Sequence, residues 1–187
     1  MVKSFTEYVH KNCVSSEYER ELLKHGIQII LNDGLNIITV LLICRFLHAD
    51  IVGYCYIISF ALLRRYSGGW HAPTHFTCFI TYQSLFLITL GFSSMEINIM
   101  TKSVIFILFS VLTGVMGPVA HWLNPLTEPE RSKNHHRLVR NLVILNIIYL
   151  VFSLNKSSTL CNVMLSSLSL NYACMILLQY LKKRRKI

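Results

Sequence analysis

The chain has 187 residues, 53% of them hydrophobic and only 14% charged, with a mean hydropathy of +0.48; the length suits one domain and the composition excludes an ordinary water-soluble one. Lys and Arg number 18 against 9 Asp and Glu, a net charge of +9, and in so apolar a chain that excess belongs at a membrane surface rather than on nucleic acid. The six cysteines, Cys13, Cys44, Cys55, Cys78, Cys161 and Cys174, are scattered and mostly lie inside apolar runs, which speaks for reduced thiols and against a disulfide scaffold.

The first 25 residues carry Lys3, Glu7, Lys11, Glu17, Glu19, Arg20, Glu21 and Lys24, too polar for a cleaved signal peptide, so the N-terminus is expected to be retained. Phe5, Tyr8 and Val9, with Leu22 and Leu23, suit an amphipathic helix lying on the bilayer as well as they suit a solvated one. Apolar stretches follow at residues 27–43, 51–63, 76–92, 104–122, 142–154 and 160–181, six candidate spans. A hydrocarbon core asks for roughly 20 helical residues. The second stretch reaches that length only if it runs from Phe46 to Tyr66 with Arg64 and Arg65 snorkelling to the interface. Alternatively, the second and third stretches form two half-spans, which leaves the sidedness unchanged. With six crossings, one face collects 15 basic residues, including Arg64, Arg65, Arg131, Lys133, Arg137, Arg140 and the five of residues 182–186, and the other collects 3, Arg45, Lys102 and Lys156. That asymmetry predicts cytoplasmic termini. Residues 123–137 form the longest polar connection, and no repeat or linker divides the chain. The fold expected is therefore all-α: a polytopic integral membrane protein of about six transmembrane helices with an N-terminal amphipathic helix, residues 1–187 forming one membrane-embedded domain. The basic tail reads as a topological anchor to anionic lipids, with no nucleic acid partner.

Chemistry concentrates in Arg64-Arg65-Tyr66-Ser67-Gly68-Gly69-Trp70-His71-Ala72-Pro73-Thr74-His75-Phe76-Thr77-Cys78. Gly68-Gly69 breaks the preceding helix, and Pro73 suits the first turn of the next, which puts Cys78 near that helix's start. On one continuous helix His71 and Cys78 would stand about 10 Å apart along the axis; the breaks allow the imidazole to return toward the thiol. A helix N-terminus and a neighbouring imidazole both favour the nucleophilic thiolate. The residues alone leave three readings open: a Cys/His nucleophile and base; zinc ligation by His71, His75 and Cys78, for which no fourth ligand or His-Glu-x-x-His motif is present; and interfacial histidines with an inert thiol.

Arg64, Gly69, His71 and Cys78, in this order and spacing, resemble the active-site region of the accessory gene regulator protein B family, the membrane cysteine endopeptidases of Gram-positive quorum sensing. Downstream, Gly117-Pro118-Val119-Ala120-His121, Asn124-Pro125-Leu126 and Glu130 resemble that family's Ala-Pro-Val and Lys-Pro-Leu segment, with Gly117 and Asn124 standing where Ala and Lys are usual. The resemblance implies a thiol protease with Cys78 as nucleophile and His71 as base, needing no cofactor or metal. The resemblance further implies that such a protease removes the acidic C-terminal tail of a precursor signal peptide and promotes closure of a thiolactone or lactone ring, in the cell membrane with its active site on the cytoplasmic side. Arg64 and Arg65 are candidates for binding the acidic tail, or simply topology determinants. Gly69 is expected as a backbone turn. Asp33 in the first span is a candidate to orient His71, or a structurally paired carboxylate; Gln83 and Ser84 are further polar candidates. His135 and His136 are expected to be solvated. The pairs Ser110/Gly114 and Ser169/Ala173 read as helix-packing positions that also suit a homodimer. The competing function is non-enzymatic, a small-peptide exporter or membrane signalling scaffold.

Overall fold

The computed structural model describes residues 17–69, 74–120 and 126–185. Among them are six α-helices and no strand: α1 (Glu17–Phe46), α2 (Asp50–Ser67), α3 (His75–Ser93), α4 (Ile99–Met116), α5 (Glu128–Leu154) and α6 (Ser158–Arg185). Each expected apolar stretch contributes to one of them, the fourth only as far as Met116, and α3, α4, α5 and α6 are long and apolar enough to cross a membrane. The protein is a polytopic membrane protein. α3 is a continuous helix of 19 residues rather than a half-span, and α2, 18 residues long, carries Asp50, Arg64 and Arg65.

The chain divides into two units, Met1–Thr39 and Val40–Ile187. In the first, Asn36 is buried and its Nδ2 donates to the Asn32 carbonyl at 3.0 Å, while Ile30, Leu35 and Ile38 are exposed. The amphipathic turns expected at Phe5, Tyr8 and Val9 lie outside the described residues, and Leu22 and Leu23 fall within α1.

In the second unit α6 is the central helix. It touches α2, α3, α4 and α5, and 56% of its membrane-length segment is buried, against 22% in α3 and α4 and 28% in α5. Since lipid is as apolar as leucine, packing and polar contacts must select these neighbours. Phe106 and Tyr149 stack with centroids 4.0 Å apart. Asn162 Nδ2 donates to Ser93 O at 3.1 Å and Met95 O at 2.7 Å, Thr89 and Ser166 share a 2.9 Å hydroxyl bond, and Asn146 Nδ2 reaches Ser110 Oγ at 2.7 Å. Each such bond contributes about 0.6 kcal/mol inside a membrane. The Ser110/Gly114 pair faces α5 within the chain, Gly114 having Leu142 at its back; on α6, Ser169 bonds its own helix and Ala173 is exposed.

Two boundaries differ from the sequence reading. The fourth helix stops at Met116, not Trp122, because Gly117 N closes the last turn on Thr113 O and Pro118 has no N–H with which to continue. Residues 128–137, expected as loop, are the polar first turns of α5. Pro129 stands in the first turn, and Thr127 N and Oγ1 both donate to Glu130 Oε2, at 3.0 and 2.8 Å, so a capping box starts the helix well before its sequence turns apolar.

The ends of α2 and α4 meet at one end of this unit, where Val119 N donates to Ser67 O, while Lys102 of α4 and Ser158 of α6 meet at the other, with Lys102 Nζ 2.6 Å from Ser158 Oγ. If the basic end is cytoplasmic, as the charge asymmetry predicts, cysteine probes at the exposed Ser94 and Asn155 should react with an impermeant maleimide on intact cells, and one at the exposed Glu128 only after permeabilisation. The reverse pattern would invert the topology.

Candidate active site

The last turn of α2 sends its two arginines different ways. Arg64 is partly buried and its Nη1 donates to the Gly68 carbonyl at 3.0 Å; the guanidinium stands in electrostatic range of the Cys174 and Cys78 sulfurs and of Tyr56. Arg65, one residue on and about 100° around the helix, is exposed and lies over the Tyr66 ring, 5.8 Å from its centroid.

Beyond Ser67 the chain turns through Gly68 (φ +69°) and Gly69 (φ +117°), backbone that only glycine adopts readily. Space demands glycine here as well: a Cβ on Gly68 would strike the Val119 carbonyl oxygen, and one on Gly69 would strike Arg64 Nη1. Relieved of both side chains, the turn lies against residues 117–120. Val119 N donates to Ser67 O at 2.9 Å, and Gly68 and Val119 form an isolated parallel bridge. Below it, Ser67 Oγ lies 3.1 Å from Asn171 Oδ1, and Val119 packs with Met175 and Leu178 of α6. His135, expected in solvent, is half-buried with Nδ1 3.0 Å from the Gly117 carbonyl, because α5 starts early enough to bring its second turn against this segment. His136 is exposed as expected, on the Ser132 carbonyl of its own helix at 2.8 Å.

α3 begins at His75 with Thr74 as its cap; Pro73, expected in the first turn, lies outside the described residues. Thr74 Oγ1 accepts from Thr77 N and Thr77 Oγ1 accepts from Thr74 N, each at 3.2 Å. Cys78 N donates to Thr74 O at 2.9 Å, the first bond of the helical ladder. Cys78 thus stands at the start of the helix as the sequence suggested, half-buried, with a Cα–Cβ bond tilted toward the helix N-terminus and its unsatisfied N–H groups. His71 lies outside the described residues. His75 is exposed in the first turn. Gln83 is buried further along α3, whereas Ser84 turns its hydroxyl back onto Ile80 O at 2.8 Å. Asp33 is exposed on α1 in the first unit.

The structure therefore packs Gly69 against Arg64 and Cys174, leaves Cys78 within electrostatic range of Arg64, separates Arg65 from Arg64, and adds Val119, Asn171, Cys174 and Tyr56, which the sequence reading did not single out. Asn171, a buried amide in an apolar helix, carried a readable signal; Cys174 and Tyr56 had none. Among the described residues no three His, Cys, Asp or Glu side chains gather to hold a metal ion.

The segments that meet at Gly68 and Val119 are the two that carry the motif resemblance, and the accessory gene regulator B family matches the chain over residues 2–180. The chain belongs to this family. Membership in accessory gene regulator B connects the protein with peptide processing in quorum sensing. No curated protein and no solved structure matches it. Of the family's downstream segment, residues 117–120 are the part that lies on the glycine turn, while His121, Asn124 and Pro125 lie outside the described residues.

The glycine turn generates a stability prediction. Gly68→Ala, forced into positive φ and against a carbonyl, should lower stability by about 1–3 kcal/mol. Gly91→Ala, in a helix with open space around it, should raise stability by about 0.5–1 kcal/mol. Thermal unfolding in detergent checks both; a Gly68→Ala protein as stable as wild type would remove the turn from the account.

Proposed function

We propose that the protein is a membrane-embedded cysteine endopeptidase that removes the acidic C-terminal tail of a precursor signal peptide and promotes closure of a thiolactone or lactone ring. One observation carries this reading: the family's two motif segments pair backbone to backbone at the end of α2 that carries Arg64. Cys78 is the nucleophile and His71 its base. His71 takes the thiol proton as sulfur attacks the scissile carbonyl, then delivers it to the departing amine of the tail, leaving the peptide as a thioester on Cys78. A thiol or hydroxyl within the peptide attacks that thioester, closes the ring and returns the proton and the free thiol to the enzyme. Hydrolysis would lose the activated bond, and a cleft walled by membrane helices disfavours it by excluding water. The Arg64 guanidinium, fixed by Gly68 O and left room by Gly69, adds positive potential to this end of the site. The site works on the cytoplasmic face in the cell membrane, where the basic residues also meet anionic lipids.

Cys78→Ala and His71→Ala should each abolish cleavage of a co-expressed precursor at unchanged membrane abundance, because nucleophile and base act as a unit. His75→Ala, at an exposed first-turn position, should retain most activity. Immunoblotting of the precursor reads all three. Cleavage by the Cys78→Ala protein would favour the exporter or scaffold reading, and an essential His75 with a dispensable His71 would reassign the base.

A further inference from the structure

We infer that Arg65 and Arg137, converging on the Tyr66 ring from two helices, form a carboxylate platform that binds the acidic tail of the peptide substrate, separate from the inward-facing Arg64. The inference rests on the peptidase reading for the identity of its ligand. Its geometry comes from two helices locked in register. Leu62 and Tyr66 are one turn apart on α2, Arg137 and Asn141 one turn apart on α5, and the buried Asn141 Nδ2 donates to Leu62 O at 2.7 Å. That bond sets Arg137 opposite Tyr66, and its guanidinium lies 5.6 Å from the ring centroid, with Arg65 at 5.8 Å. Tyr66 packs against the core cluster that contains Leu63 and Leu138, so the ring is a fixed support.

Two like charges brought to one ring repel each other, and among the described residues neither guanidinium has an acidic partner. A guanidinium stacked on an aromatic face keeps its edge N–H groups available, and their planar fork matches a carboxylate. An incoming acidic chain therefore supplies the missing counter-charge. Headgroup phosphates need no such convergence, since exposed cations such as Arg131, Lys133 and Arg140 on the same helix already present charge to a bilayer. The platform also adjoins the site, because Arg65 follows Arg64 in the chain.

The test is equilibrium binding to the full-length protein in phosphatidylcholine nanodiscs, reading the anisotropy of a short fluorescein-labelled oligoglutamate and of its oligoglutamine counterpart. Wild type should prefer the glutamate peptide by about tenfold, Arg65→Ala or Arg137→Ala should each cut that preference by about threefold, and the double variant should abolish it. Added salt should weaken the preference, and Tyr66→Phe, which keeps the stacking face, should leave it intact. An undiminished preference in the double variant, at unchanged thermal stability, would overturn the platform. So would a double variant that alters only the response to phosphatidylglycerol added to the nanodiscs, since the arginines would then read lipid. Measured on Cys78→Ala protein, the binding result is independent of catalysis. Loss of the platform leaves the peptidase reading standing, and failure of wild-type cleavage leaves the binding result standing.

Discussion

Where a helix end is buried, the backbone groups it releases must find partners inside the protein. α2 and α4 end at the same level and satisfy each other: the Ser67 carbonyl takes the Val119 amide hydrogen at 2.9 Å, and Gly68 and Val119 lie side by side. The rest of the site depends on this junction. It sets the direction in which the chain leaves α2, leaves Gly68 O for Arg64, and holds the turn against Asn171, Met175 and Leu178 of the central helix through Ser67 and Val119. Two missing Cβ atoms make it possible, one facing Val119 and the other facing the Arg64 guanidinium.

Around that junction, polar residues set the register of helices that apolar surface alone would leave free to slide. Asn141 to Leu62 ties α5 to α2, Asn162 to Ser93 and Met95 ties α6 to the end of α3, Asn146 to Ser110 ties α5 to α4, and Lys102 to Ser158 ties α4 to the start of α6. At about 0.6 kcal/mol apiece they contribute less to stability than to choosing one arrangement among several of similar packing. The functional consequence is a fixed relation between the end of α2, with both arginines, and the basic first turns of α5.

The helices were legible because a membrane span is written in hydropathy, and each apolar stretch marks the position of one helix. Hydropathy is silent on polar helix, so residues 128–137 were read as connection although Thr127-Glu128-Pro129-Glu130 already spelled a capping box. The glycine break and the position of Cys78 at a helix start were readable from local backbone chemistry. Pairings across the sequence were not: His135 was assigned to solvent because nothing near it names Gly117 as its partner. Helical period alone separates Arg64 from Arg65 by about 100°, but which of them turns inward is decided by the Gly68 carbonyl, the space above Gly69 and the Tyr66 ring, and these come together only in the fold.

In the proposed mechanism the turn after α2 and the first turn of α3 form one chemical unit, in which an acyl group passes from peptide to Cys78 and back to the peptide. The measurement that tests this most directly is intact-protein and peptide-mapping mass spectrometry of enzyme incubated with a precursor whose ring-forming residue is replaced by alanine. Without an internal acceptor the acyl group should remain on the protein as an adduct with the truncated peptide, mapped to Cys78, discharged by hydroxylamine and absent from Cys78→Ala. Such an adduct on Cys55 or Cys174 instead, or its formation by Cys78→Ala protein, would contradict the account.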